Sequence, residues 1–274
     1  MHNSIQVTIS VNSANTIDLL IAQLNELGYE GFEELDNTLL AYCAEPDFDE
    51  QALQQLLAAH GAGYEKNIIA AQNWNAFWES NFSPVVVDDF VAVRAEFHQP
   101  IQGVQYEIVI TPKMSFGTGH HATTRMMMQQ MQGLGMEGKN IFDFGTGTGI
   151  LAILAEKLGA ANVLAIDYDE WCITNATENT ARNNCQKIRL SQADVPPDTD
   201  EQFNIILANI NKHIILQFLP ALNAKLTNNA YLLLSGLLAE DEQDILAATS
   251  PMRGLEHIST TALDKWICML FAKK

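Results

Sequence analysis

The sequence predicts an α/β chain that consists of a small α+β domain followed by a larger, doubly wound domain. In the first 72 residues, apolar positions recur with strand and helix periods in the order strand, helix, strand, strand, helix, strand. From residue 85 onward, short apolar runs alternate with helical patterns, as in a parallel sheet that is covered by helices. A glycine-rich turn at residues 143–149 separates one such strand from the next helix.

The first domain, residues 1–72, is predicted to have a ferredoxin-like fold. Residues 5–11 alternate as a half-buried strand, and residues 16–28 place apolar side chains at helical spacing up to Gly28, a typical helix stop. The remaining predicted elements are strands over 31–35 and 39–44 around a turn at Asp36-Asn37, a helix over 49–60 and a strand over 64–71. This order is that of a ferredoxin-like unit.

Residues 73–84 are predicted to form an aromatic linker. Trp74, Phe77 and Trp78 fall at positions i, i+3 and i+4 and therefore share one face if this segment is helical. We expect these aromatic side chains to pack at a domain interface.

The second domain, residues 85–274, is predicted to be Rossmann-like. It begins with short strands over 85–87, 91–96 and 106–110 and a helix over 125–134. Strands then end at Phe144, Asp167, Ser191, Ala208, Ser235 and Phe271, and helices cover 150–158, 168–183, 212–224 and 240–248 between them. This alternation predicts a doubly wound parallel sheet, whose ligands bind at the carboxyl ends of the strands.

The segment Asp143-Phe-Gly-Thr-Gly-Thr-Gly149 predicts a site for a nucleoside-containing cofactor. Glycines allow close approach of the backbone to a ligand, and Asp167, 22 positions after Gly145, is placed to hold ribose hydroxyls. The register Gly147-x-Gly149-x-x-Ala152 matches the dinucleotide fingerprint. The register that begins at Asp143 resembles the first motif of S-adenosylmethionine-dependent methyltransferases. Asp143 favours this second cofactor, because a carboxylate repels a pyrophosphate but attracts an ammonium and a sulfonium.

The net charge narrows the possible binding partners of the protein. The net charge is −18, and residues 1–72 hold eleven acids but only one base, Lys66. Such acidity repels nucleic acid and attracts cationic proteins, although it would also serve for solubility alone. We therefore expect no direct contact with nucleic acid.

Several standard sequence signals are absent. No apolar run reaches 18 residues, and no signal peptide is recognisable, so we expect no membrane association. Four scattered cysteines without a C-x-x-C pair suit the cytoplasm.

Polar residues at the predicted strand ends are the candidate site residues. One such residue usually caps a helix, but five around one crevice indicate a binding site: Asp143, Asp167, Asp194, Asn209 and Ser235. Asp167 suits ribose hydroxyls, Asp194 suits the adenine amine, and Asn209 is the candidate at the reaction centre. Upstream, the adjacent residues His120 and His121 make a poor metal pair and no ligand cluster completes them, so we expect no metal. Thr123 or Thr124 is predicted to cap the following helix.

Together these motifs resemble the ribosomal protein L11 methyltransferase family over nearly the whole chain. The resemblance rests on Phe116-Gly-Thr-Gly-x-His-x-Thr-Thr124, the segment 143–152, Asp167-Tyr-Asp169, Ala208-Asn-Ile210 and Leu234-Ser-Gly-Leu237. Thr146 and Thr148 stand where the family often has Cys and Ser, and Asn211-Lys212 replaces small apolar residues.

The resemblance implies methylation of lysine ε-amines and of the N-terminal α-amine on a basic protein of the large ribosomal subunit. It implies S-adenosyl-L-methionine as cofactor, contacted by Thr124, Gly145, Asp167 and Asn209, and we add Gly147, Asp143 and Asp194 as cofactor-binding candidates. Asn209 is the catalytic candidate, because its carbonyl can accept an amine hydrogen without adding charge. We expect a monomer whose residues 1–72 recognise the substrate. The alternatives are a methyltransferase for another protein amine, a nicotinamide-dependent oxidoreductase and a non-catalytic binding module.

Overall fold

The structure, a computed structural model, describes residues 3–11, 14–35, 38–69, 83–111 and 119–274. The chain divides into two compact units, residues 1–81 and 82–274. Trp74, Phe77 and Trp78 of the predicted linker, the predicted turn at Asp36-Asn37, and the first three residues of the loop that begins at Phe116 lie outside the described residues.

The first unit has the predicted ferredoxin-like fold. Its elements are β1 (Ser4–Ser10), α1 (Ala14–Glu26), β2 (Gly31–Leu35), β3 (Thr38–Ala44), α2 (Glu50–Ala59) and β4 (Tyr64–Ile69). The strands form one sheet in the order β2-β3-β1-β4, and every neighbouring pair is antiparallel. Alternate residues of β1, including Val7 and Ile9, are buried in one apolar cluster with Leu20 and Leu53 from the two helices. The period-two and period-3.6 patterns therefore define the faces that the core buries.

The second unit begins with a small sheet and one helix. Its strands are β5 (Val85–Val87), β6 (Val91–Ala95) and β7 (Tyr106–Ile110), and the helix is α3 (Ala122–Met131). Strand β6 lies in the middle, antiparallel to β5 and parallel to β7. Four methionines of α3 are buried in the core, as their apolar spacing indicates: Met126, Met127, Met128 and Met131.

A seven-stranded sheet forms the body of the second unit. Its strands are β8 (Asn140–Phe144), β9 (Asn162–Asp167), β10 (Ile188–Gln192), β11 (Phe203–Asn209), β12 (Leu226–Leu238), β13 (Leu255–Leu263) and β14 (Trp266–Lys273). The helices are α4 (Ile150–Lys157), α5 (Glu170–Arg182), α6 (Lys212–Lys225) and α7 (Glu242–Thr249). The strand order is β10-β9-β8-β11-β12-β14-β13, which confirms a doubly wound Rossmann-like sheet.

The prediction of an entirely parallel sheet is wrong at one edge. The neighbouring strands β10, β9, β8, β11 and β12 are parallel to one another. Strand β14 is antiparallel to both β12 and β13. Only Asp264 and Lys265 separate β13 from β14, with Asp264 at φ 54°, and so short a connection permits only antiparallel pairing. Strand β13 was not predicted, because it is a partly exposed edge strand without an apolar run.

The sheet separates two apolar layers, one packed against each of its faces. Ile141 and Leu207 belong to the layer that includes residues of α3 and α4, whereas Phe142 and Ile206 belong to the layer that includes residues of α6 and α7. Adjacent residues of one strand thus enter opposite layers, which explains the continuous apolar runs in the sequence. Within the described ranges, no helix is long and apolar enough to cross a membrane.

Candidate functional site

A cavity of about 720 Å³ lies where strands β8, β9, β11 and β12 end. This volume is within the usual range of small-molecule sites. Among the residues that line it are Gly145, Gly147, Asp167, Tyr168, Asp194, Asn209, Ile210, Gly236 and Trp266. All of them belong to the second unit, and the cavity lies where an α/β sheet binds ligands.

The glycine-rich turn between β8 and α4 forms the floor of the cavity. Gly145, Gly147 and Gly149 have φ values of 81°, 55° and 80°, which side-chain-bearing residues rarely adopt. The N–H groups of Gly145 and Thr146 both donate to the Ile166 carbonyl oxygen at 2.9 Å, so that the turn is fixed against β9. The turn therefore brings the backbone of Gly145 and Gly147 to the cavity wall, as the sequence predicts.

Asp167 ends β9 and is almost completely buried in the wall of the cavity. Its Oδ2 accepts the Gly147 N–H at 2.8 Å, and its Oδ1 accepts the Asp169 N–H at 3.1 Å. Each carboxylate oxygen can accept a second hydrogen bond, so the side chain is held in place while it keeps acceptor capacity. The neighbouring Tyr168 lines the same cavity and is 74% exposed.

Asp143 lies beneath the turn and is fully buried. Its Oδ2 accepts a hydrogen bond from Thr146 Oγ1 at 2.6 Å. The pKa of this carboxyl group is raised to about 7, mainly by burial; the hydrogen bond from Thr146 opposes this rise, and the nearby Asp167 carboxylate adds to it. Asp143 does not line the cavity. Asp143 therefore supports the turn from below, through the hydrogen bond that it accepts from the Thr146 hydroxyl.

Asn209 ends β11 and lines the cavity. Its Nδ2 donates to Thr124 Oγ1 in α3 at 3.3 Å. Its Oδ1 is buried and accepts no hydrogen bond from the described residues. A buried acceptor without a partner is costly unless a ligand supplies a donor. The Asn209 side chain is thus oriented by Thr124, and its buried oxygen is an uncharged acceptor without a partner among the described residues.

The backbone that follows Asn209 is confined between two glycines. A Cβ on Gly236, which has φ 81°, would lie 2.3 Å from the Ile210 carbonyl oxygen. A Cβ on Gly145 would lie 2.3 Å from Ile210 Cγ2. Gly236 lies within an irregularity of β12, and the preceding Ser235 carbonyl accepts the Ile210 N–H at 3.2 Å. Glycine at both positions therefore permits the observed path of residues 209–210.

His121 caps helix α3 and borders the same cavity. Its Nδ1 accepts the Thr123 N–H at 3.4 Å and lies 2.7 Å from Thr123 Oγ1. The prediction that Thr123 or Thr124 caps this helix is therefore wrong, because the helix begins at Ala122. The imidazole packs edge-on against Trp266 with the ring centroids 4.6 Å apart. Burial lowers the pKa of His121, and the charge of Lys265 lowers it further, so that the neutral ring is favoured.

The structure brings together five of the seven predicted site residues as cavity-lining groups: Gly145, Gly147, Asp167, Asp194 and Asn209. Thr124 and Asp143 lie one layer behind them, in contact with Asn209 and with the turn. Ser235, the fifth strand-end residue, is buried and donates from Oγ to the Ile267 carbonyl oxygen at 2.8 Å.

Sequence reasoning missed several residues that line the cavity, among them Tyr168, Cys172, His213 and Trp266. Tyr168 lies inside the Asp167-Tyr-Asp169 motif, so its position at the cavity could have been predicted from the sequence. That of Trp266 could not, because this residue approaches the cavity from the reversed strand β14.

Comparison with known proteins identifies the family. The family profile described as ribosomal protein L11 methyltransferase matches residues 5–274. The chain belongs to this family. A relative named ribosomal protein L11 methyltransferase from Porphyromonas gingivalis is 40% identical over 262 residues, which cover 93% of this chain and 90% of the relative. Another of that name, from Chlorobaculum tepidum, is 37% identical over 100% of this chain and 98% of its own length.

A solved structure gives the same result for the fold. The crystal structure of ribosomal protein L11 methylase from Lactobacillus delbrueckii subsp. bulgaricus superimposes with a TM-score of 0.65 at 30% identity. It covers 70% of this chain and 100% of its own chain. The likeness confirms the predicted Rossmann-like methyltransferase domain, whereas the ferredoxin-like order of the first unit is shown by its own sheet topology. Membership of this methyltransferase family also sets aside the oxidoreductase and the non-catalytic binding module.

One departure from the family pattern is now explained. Lys212 does not line the cavity, since its Nζ pairs with Asp241 at 2.7 Å and with Asp244 at 3.0 Å. The neighbouring Asn211 and His213 do line it, so only the first residue of the Asn211-Lys212 pair borders the site.

Proposed function

We propose that this protein transfers methyl groups from S-adenosylmethionine to amines of ribosomal protein L11, at lysine ε-amines and at the N-terminal α-amine. The names of the relatives support the substrate, and the unpartnered Asn209 Oδ1 in the cavity wall supports the chemistry. The protein is proposed to act in the cytoplasm as a monomer, without direct contact to nucleic acid.

The residues of the cavity fit this cofactor. Asp167 keeps acceptor capacity for ribose hydroxyls, and Gly145 and Gly147 permit close approach of the backbone. Asp194, exposed at the rim, is placed to accept the adenine amine. Thr124 orients Asn209, and Asp143 supports the turn from below.

The requirements of amine methylation explain why an asparagine suits this position. S-adenosylmethionine supplies a methyl group on a positively charged sulfur, and an amine accepts it only in its neutral form. A free lysine has a pKa of about 10.4, and a carboxylate beside the amine would raise this pKa further. The Asn209 carbonyl accepts an amine hydrogen without adding charge, so that it orients the nitrogen lone pair towards the methyl donor. Alignment of this kind is a large source of rate enhancement.

The two units divide the task in this proposal. Residues 1–72 recognise the protein substrate, residues 73–84 link the domains, and residues 85–274 bind the cofactor and catalyse the transfer. The charge of −10 on residues 1–72 favours the approach of a basic ribosomal protein.

Transfer of labelled methyl groups to purified ribosomal protein L11, followed by mass spectrometry of the product, tests this function. Asn209→Ala is expected to lower kcat about 100-fold, because the amine loses its orienting acceptor. Asn162→Ala, the same change at the amino end of β9, is the control and is expected to retain wild-type turnover. Wild-type turnover in Asn209→Ala would remove Asn209 from the reaction centre. Methylation of a different protein in cell extract, with none on L11, would favour the alternative of another protein amine.

A further inference from the structure

Helix α5 and its carboxyl-terminal cap carry a row of asparagines at positions i, i+4 and i+8 on one face. Asn175 and Asn179 are fully buried, and Asn183 is partly buried. Asparagine is a poor helix former, and its buried amide must be satisfied by hydrogen bonds. A row of three amides facing the interior therefore calls for a specific set of partners.

The first partner is the free edge of strand β7. Among the described residues, β7 pairs only with β6, so its other edge presents unpaired backbone groups. Asn183 completes one pair of hydrogen bonds, because its Nδ2 donates to the Val109 carbonyl at 2.7 Å and its Oδ1 accepts the Val109 N–H at 3.0 Å. Two residues along, Asn179 Oδ1 accepts the Thr111 N–H at 2.8 Å and Asn175 Nδ2 donates to the Thr111 carbonyl at 3.3 Å. Side-chain amides thus take the place of a neighbouring strand.

The second partner is the glycine-rich turn. Of the three asparagines, only Asn179 is hydrogen-bonded both to the chain at the end of β7 and to this turn. Its Nδ2 donates to the Thr148 carbonyl oxygen at 2.9 Å and to Asn175 Oδ1 at 2.7 Å. Because Asn179 Oδ1 also accepts the Thr111 N–H, both amide hydrogens and the oxygen of Asn179 take part in hydrogen bonds. Thr148 lies between Gly147, whose N–H donates to Asp167, and Gly149, which caps α4. A continuous series of hydrogen bonds therefore runs from β7 through Asn179 to the turn next to Asp167.

We propose that Asn179 is a positioning residue for cofactor binding, acting through the Thr148 carbonyl on the glycine-rich turn. The assignment rests on the proposed use of S-adenosylmethionine. Asn179 does not line the cavity, so it acts on affinity by fixing the backbone that does. Without this hydrogen bond, the peptide between Thr148 and Gly149 keeps the bond from the Gly149 N–H to the Thr146 carbonyl oxygen at 2.9 Å but loses its attachment to α5. The turn is then held less firmly, and with it the Gly147 N–H that binds Asp167. Asn183 supports β7 without contact to the turn.

Calorimetry with S-adenosylmethionine on the full-length chain tests this assignment through a pair of matched variants. Asn179→Leu is expected to raise the Kd for the cofactor about tenfold, with kcat at saturating cofactor within about twofold of wild type. Asn183→Leu removes the same group from the same helix face and is expected to lower Tm while leaving Kd unchanged. Equal effects of the two variants on Kd, or no effect of either, would show that the row is merely structural. If Asn179→Leu does not fold, Asn179→Asp retains the acceptor for Thr111 and replaces the donor to Thr148, and it should raise Kd in the same direction.

A measurement on the wild-type protein needs no variant. Hydrogen exchange at the Thr111 amide, bonded to Asn179, should slow when S-adenosylmethionine binds, because binding holds the turn and with it Asn179. Exchange at the Val109 amide, bonded to Asn183, should not change, and equal protection of both amides would contradict the assignment. If the wild-type protein failed to bind S-adenosylmethionine, the proposed function and this assignment would both fall. If it bound and the Asn179 variants bound equally well, only this assignment would fall.

Discussion

Two carboxylates at the ends of adjacent strands have opposite environments. Asp167 accepts two backbone N–H groups and borders the cavity. Asp143 is buried beneath the turn, and burial raises its pKa to about 7. The sequence shows two similar acids, and the difference between them arises only from depth in the fold. One is available to a ligand, and the other is a source of pH dependence.

Asp143 should make the folded state less stable as the pH rises. Its pKa of about 7 in the folded state lies above the ordinary value of 3.8, so the folded state binds more protons between these pH values. The contribution of Asp143 to stability is therefore highest below about pH 4, falls through this window and stays low above pH 7. Asp143→Asn keeps an acceptor for Thr146 and has no charge, so it should be the more stable protein at pH 8 by on the order of a few kcal/mol.

Thermal unfolding of wild type and Asp143→Asn at a series of pH values measures this difference. The difference in Tm should be small at pH 4 and should grow up to pH 7. A difference independent of pH would show that Asp143 is not protonated in the folded state. Asp200→Asn, a change at an exposed acid outside the cavity, is the control for the loss of one negative charge.

At the scale of elements, the irregularity in β12 shapes the cavity wall at Asn209, the proposed reaction centre. Strand β12 pairs with β11 through Ser235 opposite Asn209, and its pairing with β14 shifts register between Leu234 and Leu237. Gly236 sits inside this shift with a positive φ, directly against the Ile210 carbonyl oxygen. Strand irregularities near active sites commonly serve to direct a neighbouring group. The position of Asn209 thus depends on a glycine 27 residues later in the chain.

Gly236→Ala should impair methyl transfer more than its strain alone explains. The new Cβ would meet the Ile210 backbone at 2.3 Å and displace residues 209–210, which we expect to lower kcat about 100-fold. Gly254→Ala is a matched control, because Gly254 has φ 79° and its nearest neighbour, the Lys274 carbonyl oxygen, is 3.2 Å from the new Cβ. Both variants should lose about 1–2 kcal/mol of stability from the left-handed backbone. Equal kcat values for the two variants would rule out a positioning role for Gly236.

The sequence was sufficient for elements with their own periodicity and for groups at parallel strand ends. The glycine-rich turn, Asp167, Asp194 and Asn209 converge because the carboxyl ends of parallel strands meet at one edge. Contacts between distant elements were not predictable in this way. The Asn209–Thr124 hydrogen bond joins residues 85 positions apart, and Trp266 reaches the cavity only because β14 is reversed. Neither fact has a local signal, since each depends on how elements pack.

At the scale of the whole molecule, the highest density of negative charge and the cavity belong to different units. Residues 1–72 hold eleven acids and one base, whereas all the described residues that line the cavity belong to the second unit. The first unit has its own apolar core of strand and helix residues, so it does not depend on the cavity for its fold. A unit with a separate core and a strong charge is suited to hold a cationic partner, and its field also speeds their encounter.

Removal of residues 1–72 should therefore separate cofactor binding from recognition of the protein substrate. The remaining chain keeps Asp167, Asn209 and the glycine-rich turn, so calorimetry should give a Kd for S-adenosylmethionine close to that of the full-length protein. Methylation of intact ribosomal protein L11 should be lost, because the acidic unit no longer holds it. A short lysine-containing peptide at high concentration should still be methylated slowly, which would show that the catalytic unit is intact. Full activity of the shortened chain on intact L11 would mean that recognition resides in the second unit, and the acids of the first would then serve for solubility alone.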